Sequence, residues 1–418
     1  MQTSTQNITV NGNRLWQSIM DMARIGPGIA GGNNRQALTD ADSEARHIFQ
    51  TWCEDAGLKM VVDQMGNMFA RRDGTDPDAL PILVGSHLDT QPTGGKYDGV
   101  LGVLAGLEII RSLNDLDIHT RHPIEIVNWT NEEGCRFSPP MLSSGVFAGV
   151  YDLDWAYART DADGHKFGSE IDSIGWIGDE PVGSHPLHAY FELHIEQGPI
   201  LEDANIPIGI VTHGQGLVWT KITFTGKESH AGSTPMDRRA NAGLGMAKLM
   251  ARADDIATRY APHARATVGQ CELHPNSVNV IPGTASLTVD LRHPDPDHLK
   301  AMVADLHDQA HQVAADDGLT VALEEVGNIA PIAFDKECLA TLRRAAKSLN
   351  HEHLDLISGA GHDAFWISKV APSAMIMCPC VDGLSHNEAE EITPDWATAS
   401  AEVLCHAVLE MAEIDQAG

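Results

Sequence analysis

Short apolar runs recur along the chain, with helical stretches between them. "PILVG", "IEIVNWT", "AYFELHI" and "SAMIMC" have the length and the branched or aromatic content of buried strands. "GVLAGLEIIRSL", after the first run, belongs to the same alternation. The first eighty residues read as helical, with "LTDADSEARHIFQTWCEDAGL" starting at a Thr39 cap and ending near Gly57. Alternating strands and helices argue for an α/β domain with a mostly parallel sheet, in which ligands gather beyond the carboxyl ends of the strands.

From Gly214 the pattern changes. "VWTKITFTG", a helical "ANAGLGMAKLMARADDIATRY", "ATVGQCELH", "ASLTVDLRH", a helical "DHLKAMVADLHDQAHQVAADDGL" and "TVALEEVG" make a compact α+β unit of roughly a hundred residues. After Pro331 the α/β pattern resumes, so the second domain is inserted into the first: 1–213 with 330–418, and 214–329. A chain of 418 residues fits two domains or three by length alone.

Charge narrows the partners. Asp and Glu number 58 against 28 Lys and Arg, a formal charge of -30. Such a surface repels phosphate backbones and anionic membranes, which argues against nucleic-acid or membrane binding. No uncharged apolar run reaches the roughly 18 residues of a membrane span. "MQTSTQNITVNGNRLW" has neither the basic nor the apolar segment of a leader, so the expected setting is cytoplasmic. Seven cysteines, an odd number without a CxxC pair, read as reduced thiols. Cys378 and Cys380 read as the end of a buried strand.

Candidate chemistry collects where the apolar runs stop. "SHLDTQPTGGKYDG" follows the first run and supplies His87 and Asp89, two apart and on one face of an extended backbone, where a carboxylate can hold the imidazole in one tautomer. Asp98 follows a turn built on Pro92, Gly94 and Gly95. Taken alone, a His near an Asp is more often an ordinary surface or core pair. The second run leads into Glu132 and Glu133, adjacent carboxylates that repel unless cations or a shared proton compensate. Glu133 as a ligand beside Glu132 as a base resolves the conflict, and a solvated loop is the plainer alternative. His194 lies in the third run and His386 beyond the fourth. One sheet would bring these strand ends together. The set suits two borderline divalent ions such as Zn, Mn, Co or Ni, with the two oxygens of Asp98 able to bridge.

The motifs "GSHLDTQPTGGKYDG", "NEEGCRF", "ELHIEQGPILE", "GKESHAGSTPMDRR", "PNSVNVIPG", "VDLRHPD", "SGAGHDA" and "GLSHNEAE" resemble those of N-carbamoyl-L-amino-acid amidohydrolases, β-ureidopropionases and allantoate amidohydrolases. The resemblance covers nearly the whole chain. It implies a two-metal aminopeptidase-like catalytic domain with an inserted α+β, ferredoxin-like lid that also makes a homodimer. It further implies that His87 and His194 hold one ion, Glu133 and His386 the other, with Asp98 bridging, Asp89 behind His87 and Glu132 as general base. His230 matches the family's oxyanion histidine, and Asn279 and Arg292 its clamp on the carboxylate of a ureido substrate. Gln197 and the Gly359, Gly361 and His362 turn match pocket-lining positions. A planar guanidinium suits a carboxylate on chemical grounds as well, although on the residues alone a surface ion pair is the more ordinary reading of Arg292.

Other classes are less well supported. Gly359 to Ala364 fits G-x-G-x-x-A, with Asp382 about twenty residues on, in outline a dinucleotide fingerprint. Its helix around "AFWISKV" is very short, and no second mononucleotide-binding half follows. No G-x-S-x-G elbow appears, and Cys135 matches no local nucleophile signature. Aminoacylases and dipeptidases would use the same metals on an acyl amide or peptide bond.

Overall fold

The computed structural model describes residues 8–414, and the opening residues judged to lack a leader fall partly outside that range. The chain divides into two units, Met1–Thr212 with Phe334–Gly418 and His213–Ala333; the hydrophobic pattern set the insert's limits at Gly214 and Ile329.

In the larger unit the strands are β1 (Lys59–Val62), β2 (Met68–Arg72), β3 (Ile82–His87), β4 (Ile124–Trp129), β5 (Ala189–Ile195), β6 (Ile208–Gly214, which runs on into the smaller unit), β14 (His353–Ser358) and β15 (Ser373–Cys378). They lie in the order β1-β2-β4-β3-β5-β15-β6, with β14 also paired to β6. The central strands β4, β3, β5 and β15 are mutually parallel. Every residue of these four is buried, as expected where helices cover both faces of a sheet. The flanks are antiparallel, β2 on β4 and β6 on β15. Helices Val100–Asp115 and Pro394–Ala412 are buried along most of their length.

The helical reading of the first eighty residues needs one correction. Helices Gly12–Met22 and Asp40–Asp55 are present, the second capped by the Thr39 hydroxyl accepting from the Asp42 amide. Residues 59–72, however, form the β1–β2 hairpin. Lys, Met and Arg are at home in helices, so local preference hid the hairpin. Pairing against β4 decides its conformation, and the Asp63 carboxylate locks the turn by accepting from the Met65 and Asn67 amides.

The smaller unit holds β7 (Gly216–Thr225), β8 (Ser229–His230), β9 (Arg265–His274), β10 (Val280–Ile281), β11 (Thr284–His293), β12 (Thr320–Ile329) and β13 (Ile332–Ala333). Its antiparallel sheet runs β12-β7-β11-β9, with helices Ala242–Arg259 and Pro296–Asp317 connecting strands, the ferredoxin-like order. Along β11, buried and partly exposed residues alternate strictly. The buried set, with Ile222, Phe224, Leu249 and Leu306, forms this unit's core. A short ribbon pairs β8 with β10 and sets His230 opposite Val280.

No helix among the described residues is long and apolar enough to cross a membrane. All seven cysteines are free thiols, and Cys378 closes β15.

Candidate metal centre

Strand ends position the centre. His87 is the last residue of β3 and His194 the penultimate residue of β5. Asp98 ends the loop after β3, where Gly99 starts the next helix at φ +68; a Cβ there would lie 2.4 Å from the His87 ring. Only glycine satisfies both the left-handed backbone and that close approach. Beyond β4, Asn131 takes φ 59, which asparagine tolerates, and turns the chain so that Glu132 and Glu133 follow directly. The Glu132 carbonyl accepts from the Met141 amide, which closes this loop.

Two donor sets result, and they share one residue. His87, Asp98 and His194 form the first; Asp98, Glu133 and His386 form the second. Asp98 Oδ1 lies 3.1 Å from His194 Nε2 and 3.5 Å from His87 Nε2. Its Oδ2 lies 3.7 Å from His386 Nε2, which is 3.3 Å from Glu133 Oε2. Ligand atoms about 2.1 Å from one tetrahedral ion are roughly 3.4 Å apart, so both spacings suit such ions. His87 Nε2 is buried without a hydrogen-bond partner, a costly arrangement unless something else occupies it. Glu192, His194 and His362 make a third set, which draws on a histidine of the first.

Protonation points the same way. Burial opposes charge on His87, yet Glu132 and Asp98 hold the imidazole well above its ordinary value. Burial would raise Asp98, yet His194 and then His87 hold it well below. Burial pushes Glu132 and Glu133 well above the carboxylate range, against the pull of His87. Buried carboxylates crowded this closely call for compensating cations, and the residues present fit divalent ions.

The supporting contacts differ in one respect from expectation. His87 Nδ1 is held by the Asp89 backbone carbonyl at 2.9 Å, while the Asp89 carboxylate lies 3.9 Å away. That carboxylate instead accepts the Glu132 and Glu133 amides, each at 3.2 Å. Asp89 therefore braces the two glutamates, because its side chain turns toward the end of β4. Gln91 donates to Glu133 Oε2 at 2.7 Å and Gln197 to Asp98 Oδ2 at 2.8 Å. Glu132 Oε2 stands 3.4 Å from His87 Nε2, beside the first donor set.

Gly359 and Gly361 are exposed at the end of β14. His362 is buried between the rings of His194 and Phe365 and reaches Ser358 Oγ at 3.1 Å. The helix after this turn, Asp363–Ile367, has five residues, too short for a dinucleotide fold. Partial desolvation and the neighbouring Asp89 and Glu133 carboxylates push the thiol of Cys135, a surface residue, up to about 12, which disfavours a thiolate nucleophile.

In the smaller unit, His230 and Asn279 are exposed and share the β8–β10 ribbon, the Asn279 carbonyl accepting from the Ala231 amide. His230 Nδ1 accepts from the Gly232 and Ser233 amides, so the neutral ring carries its proton on Nε2. Arg292 extends from β11 and pairs with Asp290, Nη2 to Oδ2 at 2.8 Å.

Sequence reading missed several buried groups around the centre. Ser86, Tyr190 and the Ala364 amide all donate to Glu192, Ser144 binds Asp363, and fully buried Arg35 donates to the Leu88 carbonyl. A polar residue inside an apolar run was the available signal for Glu192.

A mixed sheet with imidazole and carboxylate sets at the carboxyl ends of its parallel strands is the build of a metal-dependent hydrolase. Residues 83–410 match the profile of Peptidase family M20/M25/M40, and the chain belongs to that family, whose members are metal-dependent. It is 58% identical over 99% of its length to an N-carbamoyl-L-amino-acid amidohydrolase of Rhizobium meliloti, the whole of which it covers. It is 36% identical to an N-carbamoyl-L-amino acid amidohydrolase of Geobacillus stearothermophilus, over 97% of this chain and 99% of that one. The solved structure of a hydantoinase/carbamoylase family amidase from Burkholderia multivorans superposes with a TM-score of 0.92 at 53% identity, covering 97% of this chain and 98% of the other.

Proposed function

We propose that this hydrolase cleaves the carbamoyl C–N bond of N-carbamoyl-L-amino acids or N-carbamoyl-β-alanine. The observation that carries the reading is the pair of donor sets joined through Asp98, with Glu132 beside one of them. His87 and His194 would hold one divalent ion, Glu133 and His386 the other, and Asp98 both; Zn, Mn, Co and Ni all accept such ligands. Ions bound there supply Lewis-acid polarisation of the substrate carbonyl and acidify water.

The chain's own residues do the rest. Glu132 takes a proton from the attacking water as its oxygen bonds to the carbamoyl carbon, and delivers that proton to the amino-acid nitrogen as the C–N bond breaks. The carbamic acid released decomposes to ammonia and carbon dioxide. Asp89 holds Glu132 and Glu133 in place through their amides. In this reading the smaller unit is a lid: the Nε2–H of His230 donates to the oxyanion, and Arg292 with Asn279 binds the substrate carboxylate. Gln197, Gly359 and His362 belong to the substrate side of the larger unit.

The reading includes a homodimer formed through the lid. The open edge of β9 supports it, because Leu273 and Cys271 there, and Leu244 and Met250 on the neighbouring helix, are exposed. Seven unpaired thiols support a reducing, cytoplasmic setting.

The test is product release from N-carbamoyl-L-methionine, N-carbamoyl-β-alanine, allantoate and N-acetyl-L-methionine. Ammonia from a carbamoyl amino acid bears the proposal out and ranks substrates. Turnover of allantoate alone replaces it with an allantoate amidohydrolase, and free methionine from the acetyl compound alone with an aminoacylase.

A further inference from the structure

Of the five donors, His386 is the most exposed. It lies in an irregular loop after β15, at φ 53, with about half of its side chain exposed. A ligand on such a loop is useful only if something fixes the loop, and four residues further on Glu390 is buried. Glu390 Oε1 accepts from the Tyr97 and Asp98 amides, each at 3.1 Å. Its Oε2 lies 3.2 Å from the hydroxyl of Ser385, which also lies 2.7 Å from Asp98 Oδ2. The cradle is shaped for this carboxylate, since a Cβ at Gly95 would lie 1.9 Å from Glu390 Oε1. A second clip works further out, where Glu388 accepts from the Ile29, Ala30 and Gly32 amides.

We propose that Glu390 is a positioning residue of the metal centre: it fastens the His386 loop to the backbone of Asp98 and so sets the affinity for the ion that Glu133 and His386 would hold. The assignment rests on the two-ion reading above. Groups behind metal ligands characteristically change affinity by about 10- to 100-fold when lost. A carboxylate that merely plugged a gap between loops would instead change the stability of the metal-free fold.

The experiment is calorimetric titration of Mn²⁺ into chelator-stripped protein, with the melting temperature of the metal-free chain measured alongside. Wild type should take up two ions. Glu390→Ala should weaken one of them about 10- to 100-fold and leave the other within about threefold. Gly95→Ala, which displaces the carboxylate, should reproduce that pattern, and Glu390→Gln, which keeps the Oε1 acceptor, should restore most of the affinity. If Glu390→Ala does not fold, Gly95→Ala and Ser385→Ala carry the test, both weakening the same ion. Wild-type affinity for both ions in these variants overturns the proposal, as does equal weakening of both ions with a fall in metal-free melting temperature. A wild-type chain that binds no ion overturns the metal centre itself, and this assignment with it.

Discussion

In the larger unit His87, Asp98, Glu132, Glu133 and His194 are each no more than 9% exposed, whereas in the smaller unit His230 and Asn279 lie at the surface and Arg292 is partly covered. The first group stands at strand ends and in the loops that follow them, held by backbone and side-chain hydrogen bonds, and burial and its own members strongly perturb its protonation. The second sits on a short ribbon and on the less buried face of an antiparallel sheet. On the proposed function the contrast would match two tasks, with half-exposed His386 the exception among the donors. Ions require a rigid, desolvated, preorganised set of donors, while groups that grip a substrate can remain solvated until it arrives.

Four substitutions sharpen or break that division. Glu132→Gln should cost about 10³-fold in kcat while metal content and fold are kept, and near-normal turnover would remove Glu132 as the base. His230→Ala should lower kcat by about 10²-fold with little effect on metal content; metal loss in this variant would place His230 in the first group instead. Arg292→Ala should raise KM for carboxylate-bearing substrates by about 10- to 100-fold with kcat nearly preserved. An unchanged KM would leave Arg292 only its pairing with Asp290. The smallest effect expected is from Asp89→Asn, about tenfold in activity, because one amide acceptor survives while the new NH₂ group faces a backbone N–H. A full loss of metal in that variant would make Asp89 more than a brace.

The two groups also differ in how far the sequence discloses them. His87, Glu133, His194 and His386 follow or end apolar runs, and a parallel sheet gathers the ends of its strands, so the chemistry could be read from pattern alone. His230, Asn279 and Arg292 carry no comparable signal. A histidine after a short strand and an arginine beside an aspartate are ordinary surface features, and only the resemblance singled them out. The β1–β2 hairpin was hidden because its Lys, Met and Arg residues favour helix locally and its pairing partner lies far along the chain. Asp89 was placed behind His87 because residues two apart share a strand face, but the backbone leaves the strand at His87 and takes the carboxylate to the neighbouring loop. Glu390 escaped notice because its partners are main-chain amides nearly three hundred residues away, which no side-chain spacing encodes.

The proposed two-ion centre is tested by adding Mn²⁺ or Zn²⁺ back to the chelator-stripped enzyme while ammonia release from N-carbamoyl-L-methionine is followed. Turnover should be absent without metal, rise with added ion and level off at two equivalents per chain. Full turnover by the stripped protein, or a plateau at a single equivalent, would contradict it.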